Sequence, residues 1–191
     1  KIEEAINQLN LLHRRKLMTC QQILKKYGPL AQQASERLQK ERKVDIHPIW
    51  ILSLIRQETA GVVRPRFEQH ILSPRIVKHP ELDFSEIRYR SMSFGLGQVM
   101  GFNFKMIDND SAKGMFYSPM EQQVYNVGRF LSRARRSLRE VFQKTDPVDK
   151  DFHAVGRFYN GPGYAKHHYH ESLQRWFREF TVLKGEVISN Q

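Results

Sequence analysis

Residues 48–61, Pro48-Ile49-Trp50-Ile51-Leu52-Ser53-Leu54-Ile55-Arg56-Gln57-Glu58-Thr59-Ala60-Gly61, read PIWILSLIRQETAG and join an apolar run to a carboxylate and then a glycine. Proline suits the first helical position, where its missing N–H costs nothing. A helix that is apolar all round is one that a core surrounds. The pattern predicts a buried helix running through Gln57 or Glu58 and stopping before Gly61. On that helix Glu58 shares a face with Ile51, Leu54 and Ile55, so its carboxyl leaves the helix beside apolar neighbours. Desolvation raises a carboxyl pKa toward the range a general acid needs near neutrality. The negative end of the helix dipole acts in the same direction. The bland reading of the same residue is a side chain turned into water at a fraying helix end.

Working outward, the next segment, VVRPRFEQHIL, offers Glu68 as a second carboxylate. Glycosidic cleavage commonly uses one acid to protonate the leaving oxygen and one carboxylate to stabilise the cation or activate water. Taken alone, Glu68 reads more simply as a surface residue salt-bridged to Arg64 or Arg66. Three prolines between Val62 and Tyr89, with β-prone pieces at Phe67–Leu72 and Ile87–Tyr89, suggest a small irregular sheet or hairpin.

The remainder reads as helical. Residues 1–43 carry a face of Ile2, Ile6 and Leu9 and a stripe of Ile23, Tyr27 and Leu30 around a break at Gly28-Pro29. Ser118-Pro119-Met120-Glu121 matches a capping box. It opens a helix with Val124, Val127, Leu131, Ala134 and Leu138 inward and Arg129, Arg133, Arg136 and Arg139 on the other face. Asp146-Pro147 starts a further helix ending at YNGPGY, and a last one covers about Tyr169 to Leu183. The chain of 191 residues, 40% hydrophobic, suffices for one domain with a real core. We expect an N-terminal helical segment, 1–43, packed on a main body, 44–191.

Composition narrows the function classes. The single cysteine, Cys20, excludes an internal disulfide framework and argues against a cysteine metal site. No apolar run approaches the roughly 18 residues of a membrane span, and KIEEAINQLNLLHRRK lacks the apolar segment of a signal peptide. Stable membrane insertion is not expected, and a start at Lys1 suggests a processed form or an excised domain. The net charge of +11 draws the protein to a polyanion, without saying which.

SFGLGQVMGFN, residues 93–103, combines glycines that permit close backbone approach with Gln98, which offers a donor and an acceptor to a sugar amide or hydroxyl. It fits neither nucleotide-binding glycine pattern. Tyr159-Asn160-Gly161-Pro162-Gly163-Tyr164 puts two aromatics and an amide at a helix end. Aromatics stack on sugar faces, although such a turn also serves simply to stop a helix.

In order, ETAG at 58–61, FEQH at 67–70, SFGLGQVMGFN at 93–103 and YNGPGY at 159–164 resemble the lysozyme-like superfamily. The likeness is closest to the phage-endolysin type N-acetylmuramidase family, over about residues 46–183. Gln69 stands where that family's pattern has arginine. The resemblance implies a mainly α, lysozyme-like α+β fold with a small β-region after the catalytic helix. It implies cleavage of the β-1,4 bond between N-acetylmuramic acid and N-acetylglucosamine, as a phage endolysin or the lysozyme domain of a secreted antibacterial effector. Glu58 becomes the general acid and Glu68 the candidate second carboxylate. Ser93, Gln98, Tyr159, Asn160 and Tyr164 fall on sugar-contacting positions. No cofactor or metal is implied. The expected partner is bacterial peptidoglycan, met at the wall after holin-assisted release or secretion-system delivery, with an immunity or inhibitor protein as a further partner and a monomer as the working form.

Three other readings compete. A lytic transglycosylase would act on the same bond with Glu58 alone. A nucleic-acid-binding module would use the +11 charge and the arginines of RFLSRARRSLRE, but those arginines occupy the polar face of an amphipathic helix and no binding motif accompanies them, so nucleic acid is not expected. His167, His168 and His170 lack the i, i+4 spacing of a helical zinc site and read as polar residues opening the last helix.

Overall fold

The computed structural model describes residues 17–63 and 66–189. Its centre is the helix predicted from PIWILSLIRQETAG. Helix α1 spans Cys20–Arg42 and α2 spans Pro48–Thr59. In α2 every residue from Pro48 to Ile55 is buried, so the apolar run has neighbours on all sides. It packs against α1, against α6 (Met120–Leu131) and against the last helix, α9 (Tyr169–Ser189). Trp50 is fully buried, and its ring meets those of Phe142, Phe152 and Phe177 at 5.8, 5.3 and 4.6 Å. Burial of such aromatics supplies much of the stabilisation of a core this size.

Helix α1 buries Cys20, Ile23, Tyr27, Ala31, Ala34 and Leu38, a stripe at helical spacing that belongs to the same core. It runs straight through Gly28-Pro29, where a break was expected. Packing of the stripe against α2 and α6 outweighs the one backbone hydrogen bond that Pro29 cannot donate. The Cys20 thiol is buried and pushed up to about 12, by burial first and Glu179 second. The face of Ile2, Ile6 and Leu9 lies outside the described residues, as does Arg64.

The β-region is smaller than its β-prone residues suggest. β1 (Arg66–Phe67), β2 (Met92–Phe94) and β3 (Val99–Met100) form an antiparallel sheet in that order. Arg66 lies opposite Ser93, and Ser93 opposite Met100. The remaining β-prone residues are helical, in α3 (Gln69–Lys78) and α4 (Phe84–Arg90). In α3, Ile71, Leu72 and Arg75 are the half-buried side chains, a helical rather than an alternating spacing. In α4, Asp83 caps the Ser85 N–H at 2.8 Å and Glu86 pairs with Arg90 one turn on. A small second core of Phe94, Val99, Phe104, Ile107, Ala112 and Met115 lies under this lobe. It uses a 3₁₀ turn at Gly101–Ile107 and the short helix α5 (Ala112–Phe116).

Three further expectations are corrected. Ser118 does not cap α6; its hydroxyl donates to Gly114 O at 3.2 Å, and Pro119 is the cap residue. The long arginine-faced helix is two helices, α6 and α7 (Arg136–Phe142), because the Ser132 hydroxyl donates to the Arg129 carbonyl at 2.7 Å and residues 132–135 turn. Arg129 accordingly lies inside, 5% exposed, bound to Asp108. Finally, α8 (Asp149–Tyr159) begins after Asp146-Pro147, where the Asp151 carboxylate accepts from the Val148 N–H at 2.9 Å.

Candidate active site

Where α2 ends, Thr59 and Ala60 build the turn that carries Glu58. Ala60 adopts a left-handed conformation (φ 47°) and Gly61 another (φ 75°), so the chain reverses at once. Tyr27 of α1 donates to the Gly61 carbonyl at 3.0 Å and holds that reversal. The Thr59 hydroxyl donates to the Leu96 carbonyl at 2.8 Å, tying the helix end to the glycine-rich turn between β2 and β3.

A cleft of about 640 Å³ opens at this junction. Glu58, Glu68, Ser93, Gln98, Tyr159 and Asn160 all line it, so six of the seven residues singled out in the sequence meet in one space. Tyr164 does not. It is buried, its hydroxyl 2.9 Å from His153 Nδ1 and its ring set edgewise to His153.

The two carboxylates sit differently. Glu58 is half-buried at the end of the core helix, and its pKa is pushed up from 4.5 to about 7 by desolvation. A hydrogen bond from Tyr169 Oη to Glu58 Oε1 at 2.5 Å and the charge of Arg66 oppose that rise without cancelling it. A carboxyl of this kind is largely protonated just below neutrality and releases its proton easily. Glu68 follows β1, its N–H donating to the Ser91 carbonyl at 2.9 Å. Its carboxylate pairs with Arg66 at 2.9 Å and lies 3.7 Å from His70 Nδ1.

The glycine-rich turn shapes the opposite wall. Gln98 takes a left-handed backbone (φ 50°), and its side-chain oxygen Oε1 accepts from the Ser93 hydroxyl at 2.8 Å. Its amide NH₂ donates to the Gly95 carbonyl at 3.1 Å. Both ends of the amide are thereby oriented at the cleft wall. Gly97 has no alternative: a Cβ there would lie 2.4 Å from Val127 and 2.6 Å from the Tyr159 hydroxyl. That hydroxyl donates to the Gly97 carbonyl at 2.7 Å, and burial holds its pKa well above the usual tyrosine value.

Residues 75–181 match the family model described as N-acetylmuramidase, more than half of the chain. The chain belongs to the N-acetylmuramidase family. It is a glycoside hydrolase of the lysozyme type, and peptidoglycan is its substrate. Among solved structures it is similar to the crystal structure of a Burkholderia AP3 phage endolysin, with a TM-score of 0.56 and 19% identity over 80% of this chain and 70% of that one. That likeness, on a chain built of helices around one small sheet, shows the lysozyme-like fold. No curated protein sequence matches the chain. The family match begins after Glu58 and Glu68, so the parts assigned to those two carboxylates rest on the geometry of the cleft.

Around the muramidase cleft lie residues that the sequence did not single out. Tyr169, the partner of Glu58, lies 111 positions away and enters from the first turn of α9. Arg66 links the two acids, paired with Glu68 and acting on Glu58 through its charge. Arg56 and Gln57 line the cleft and also hold Trp176 behind it. The Arg56 and Arg175 guanidinium groups each lie 4.1 Å from the Trp176 ring, and its indole N–H donates to Gln57 Oε1 at 3.0 Å. Of the histidines considered for a metal, His168 pairs with Glu171 at 3.0 Å and the His170 ring lies 3.9 Å from that of His153. Among the described residues no group of three or more His, Cys, Asp or Glu is placed to hold an ion.

Proposed function

We propose that this muramidase cleaves the β-1,4 bond between N-acetylmuramic acid and N-acetylglucosamine, with Glu58 as the proton donor. The observation that carries the reading is a desolvated carboxyl, pKa about 7, facing a cleft lined by a second carboxylate. Glu58 gives its proton to the glycosidic oxygen as the bond to the muramyl C1 breaks, and the departing sugar leaves as a neutral alcohol. Positive charge on the ring is stabilised by Glu68, which also orients the water that adds to C1. Glu68 takes the proton of that water as it adds, and both carboxyls regain their starting states by exchange with solvent. Tyr169 holds the Glu58 carboxyl in place, while Gln98, Ser93, Tyr159 and Asn160 fix the sugar rings by hydrogen bonds and stacking.

The chain thus acts on the bacterial wall and is bacteriolytic, as a phage endolysin released with holin or as the lysozyme domain of a delivered effector. In the effector setting an immunity protein would close the cleft. Among the described residues, 44–191 supply every lining residue of the cleft except Leu17, which supports a catalytic body at 44–191 with the earlier segment as an accessory to it.

The test is digestion of purified peptidoglycan by wild type and Glu58→Gln, with products weighed by mass spectrometry. Reducing-end muramic acid from wild type alone is the expected result. Anhydromuramyl ends would instead make the protein a lytic transglycosylase and leave Glu68 a structural part. Equal product from both proteins would remove Glu58 from the reaction.

A further inference from the structure

A second concavity, about 280 Å³, lies at the Arg42 end of α1 and is lined by Arg42, Arg129, Arg133, Arg135, Arg136 and Arg139. The active cleft includes Leu17, beyond the other end of that helix. Its 23 residues span about 35 Å, and the two spaces share no residue. The arginine pocket has a built floor. Buried Arg129 binds Asp108 through two nitrogens, at 2.6 and 3.0 Å, and Arg42 reaches the same carboxylate at 2.6 Å. Asp108 is thereby spent on two partners, and its pKa is held low chiefly by the Arg129 hydrogen bond. Arg136 pairs loosely with Glu140 at 3.3 Å. Among the described residues Arg133, Arg135 and Arg139 form no ion pair. Among the described residues six cations thus gather around two carboxylates, an excess of four. Gathering like charges opposes folding unless something outside the protein answers them, and the planar guanidinium fork suits phosphate oxygens.

We propose that this pocket is a second binding site, for the phosphodiester groups of an anionic polymer attached to the cell wall. It rests on the muramidase reading only for the identity of that polymer. Polymer and glycan are parts of one insoluble lattice, so holding the first raises the effective concentration of the second at the cleft. Arg133, Arg135 and Arg139 are the binding groups, and the Arg129–Asp108–Arg42 cluster sets their floor.

The test compares Glu58→Gln protein with the same protein carrying Arg133→Ala, Arg135→Ala and Arg139→Ala. Sedimentation is measured with walls that bear poly(glycerol phosphate) and with the same walls stripped of it by hydrofluoric acid. The parent is expected to bind native walls on the order of tenfold more tightly than stripped ones. The triple variant should lose that margin and match the parent on stripped walls. Replacing the three arginines by lysine should restore part of it, since charge returns without the fork. An undiminished margin in the alanine variant, or an equal loss on stripped walls, overturns the proposal. So does a margin that appears only with duplex DNA or anionic-lipid vesicles. Muropeptide release from stripped walls by protein with Glu58 intact reports separately on the muramidase reading.

Discussion

Glu58 and Glu68 reach one cleft from unlike supports. Glu58 stands near the end of a helix that is buried from Pro48 to Ile55. Glu68 stands between a two-residue strand and α3, a helix that buries nothing. The first carboxyl is packed by its surroundings; the second, 17% exposed, is tethered by the largely exposed Arg66 side chain, with the His70 ring 3.7 Å away. The difference follows the demands of the chemistry. An acid that must hold its proton near neutrality needs desolvation, which a large core supplies; a carboxylate that must stay charged is served by a cation beside it.

That contrast can be broken first at the core. Trp50→Ala should destabilise the protein by about 3–5 kcal/mol, read as a lowered denaturant midpoint, whereas Phe67→Ala on exposed β1 should move it far less. A large loss at Phe67 would mean that the lobe carries the fold as well.

The next effect concerns the cost of burying Glu58. A rise from 4.5 to about 7 corresponds to about 3–4 kcal/mol at about 1.4 kcal/mol per pKa unit. Below pH 4.5 the carboxyl is protonated in both folded and unfolded chains and nothing is lost. Between pH 4.5 and 7 the unfolded chain ionises first, so this group makes stability fall as pH rises. Glu58→Gln should therefore melt higher than wild type at pH 8 and at the same temperature at pH 4, while losing about 10²–10⁴-fold in kcat. Equal melting at pH 8 would show that the site is not desolvated. In wild type, activity should decline as pH rises through about 7.

At Glu68 the expected loss is catalytic and not structural. Glu68→Gln should cut kcat about 10²-fold with a change in stability within about 1 kcal/mol, because a pair whose arginine is 73% exposed contributes little. The smallest effect is a shift along the pH axis. Tyr169→Phe removes a hydrogen bond that lowers the Glu58 pKa, so the falling limb of the activity profile should move to higher pH. A limb that moves down, or stays, would break the assignment of Tyr169 as a positioning residue.

The two supports also differed in how plainly they were written. Helix α2 was legible because proline at its start, an all-apolar interior and a left-handed stop at Ala60-Gly61 all point one way. The lobe was not, since runs as short as Ile87–Tyr89 satisfy helical and extended periodicity alike. There the Asp83 cap and the Glu86–Arg90 pair decided the outcome. The cleft residues near recurring blocks were visible in the chain. Tyr169 was not, because its role depends on α9 packing beside α2 and on nothing in its own neighbourhood. Arg129 misled for a related reason: it sits on the polar face by periodicity but folds inward to meet Asp108, 21 residues upstream.

The contact of Trp176 with Arg56 and Arg175 has an optical consequence. The protein has two tryptophans: Trp50 is sealed in the core, and Trp176 is in contact with Arg56 and Gln57 of the cleft wall. Intrinsic fluorescence is thus divided by place, one indole reporting on unfolding and the other on occupancy. A glycan that displaces Arg56 or Gln57 should change the emission of Trp176 while leaving that of Trp50 untouched, so the enzyme carries its own gauge of when the cleft is filled.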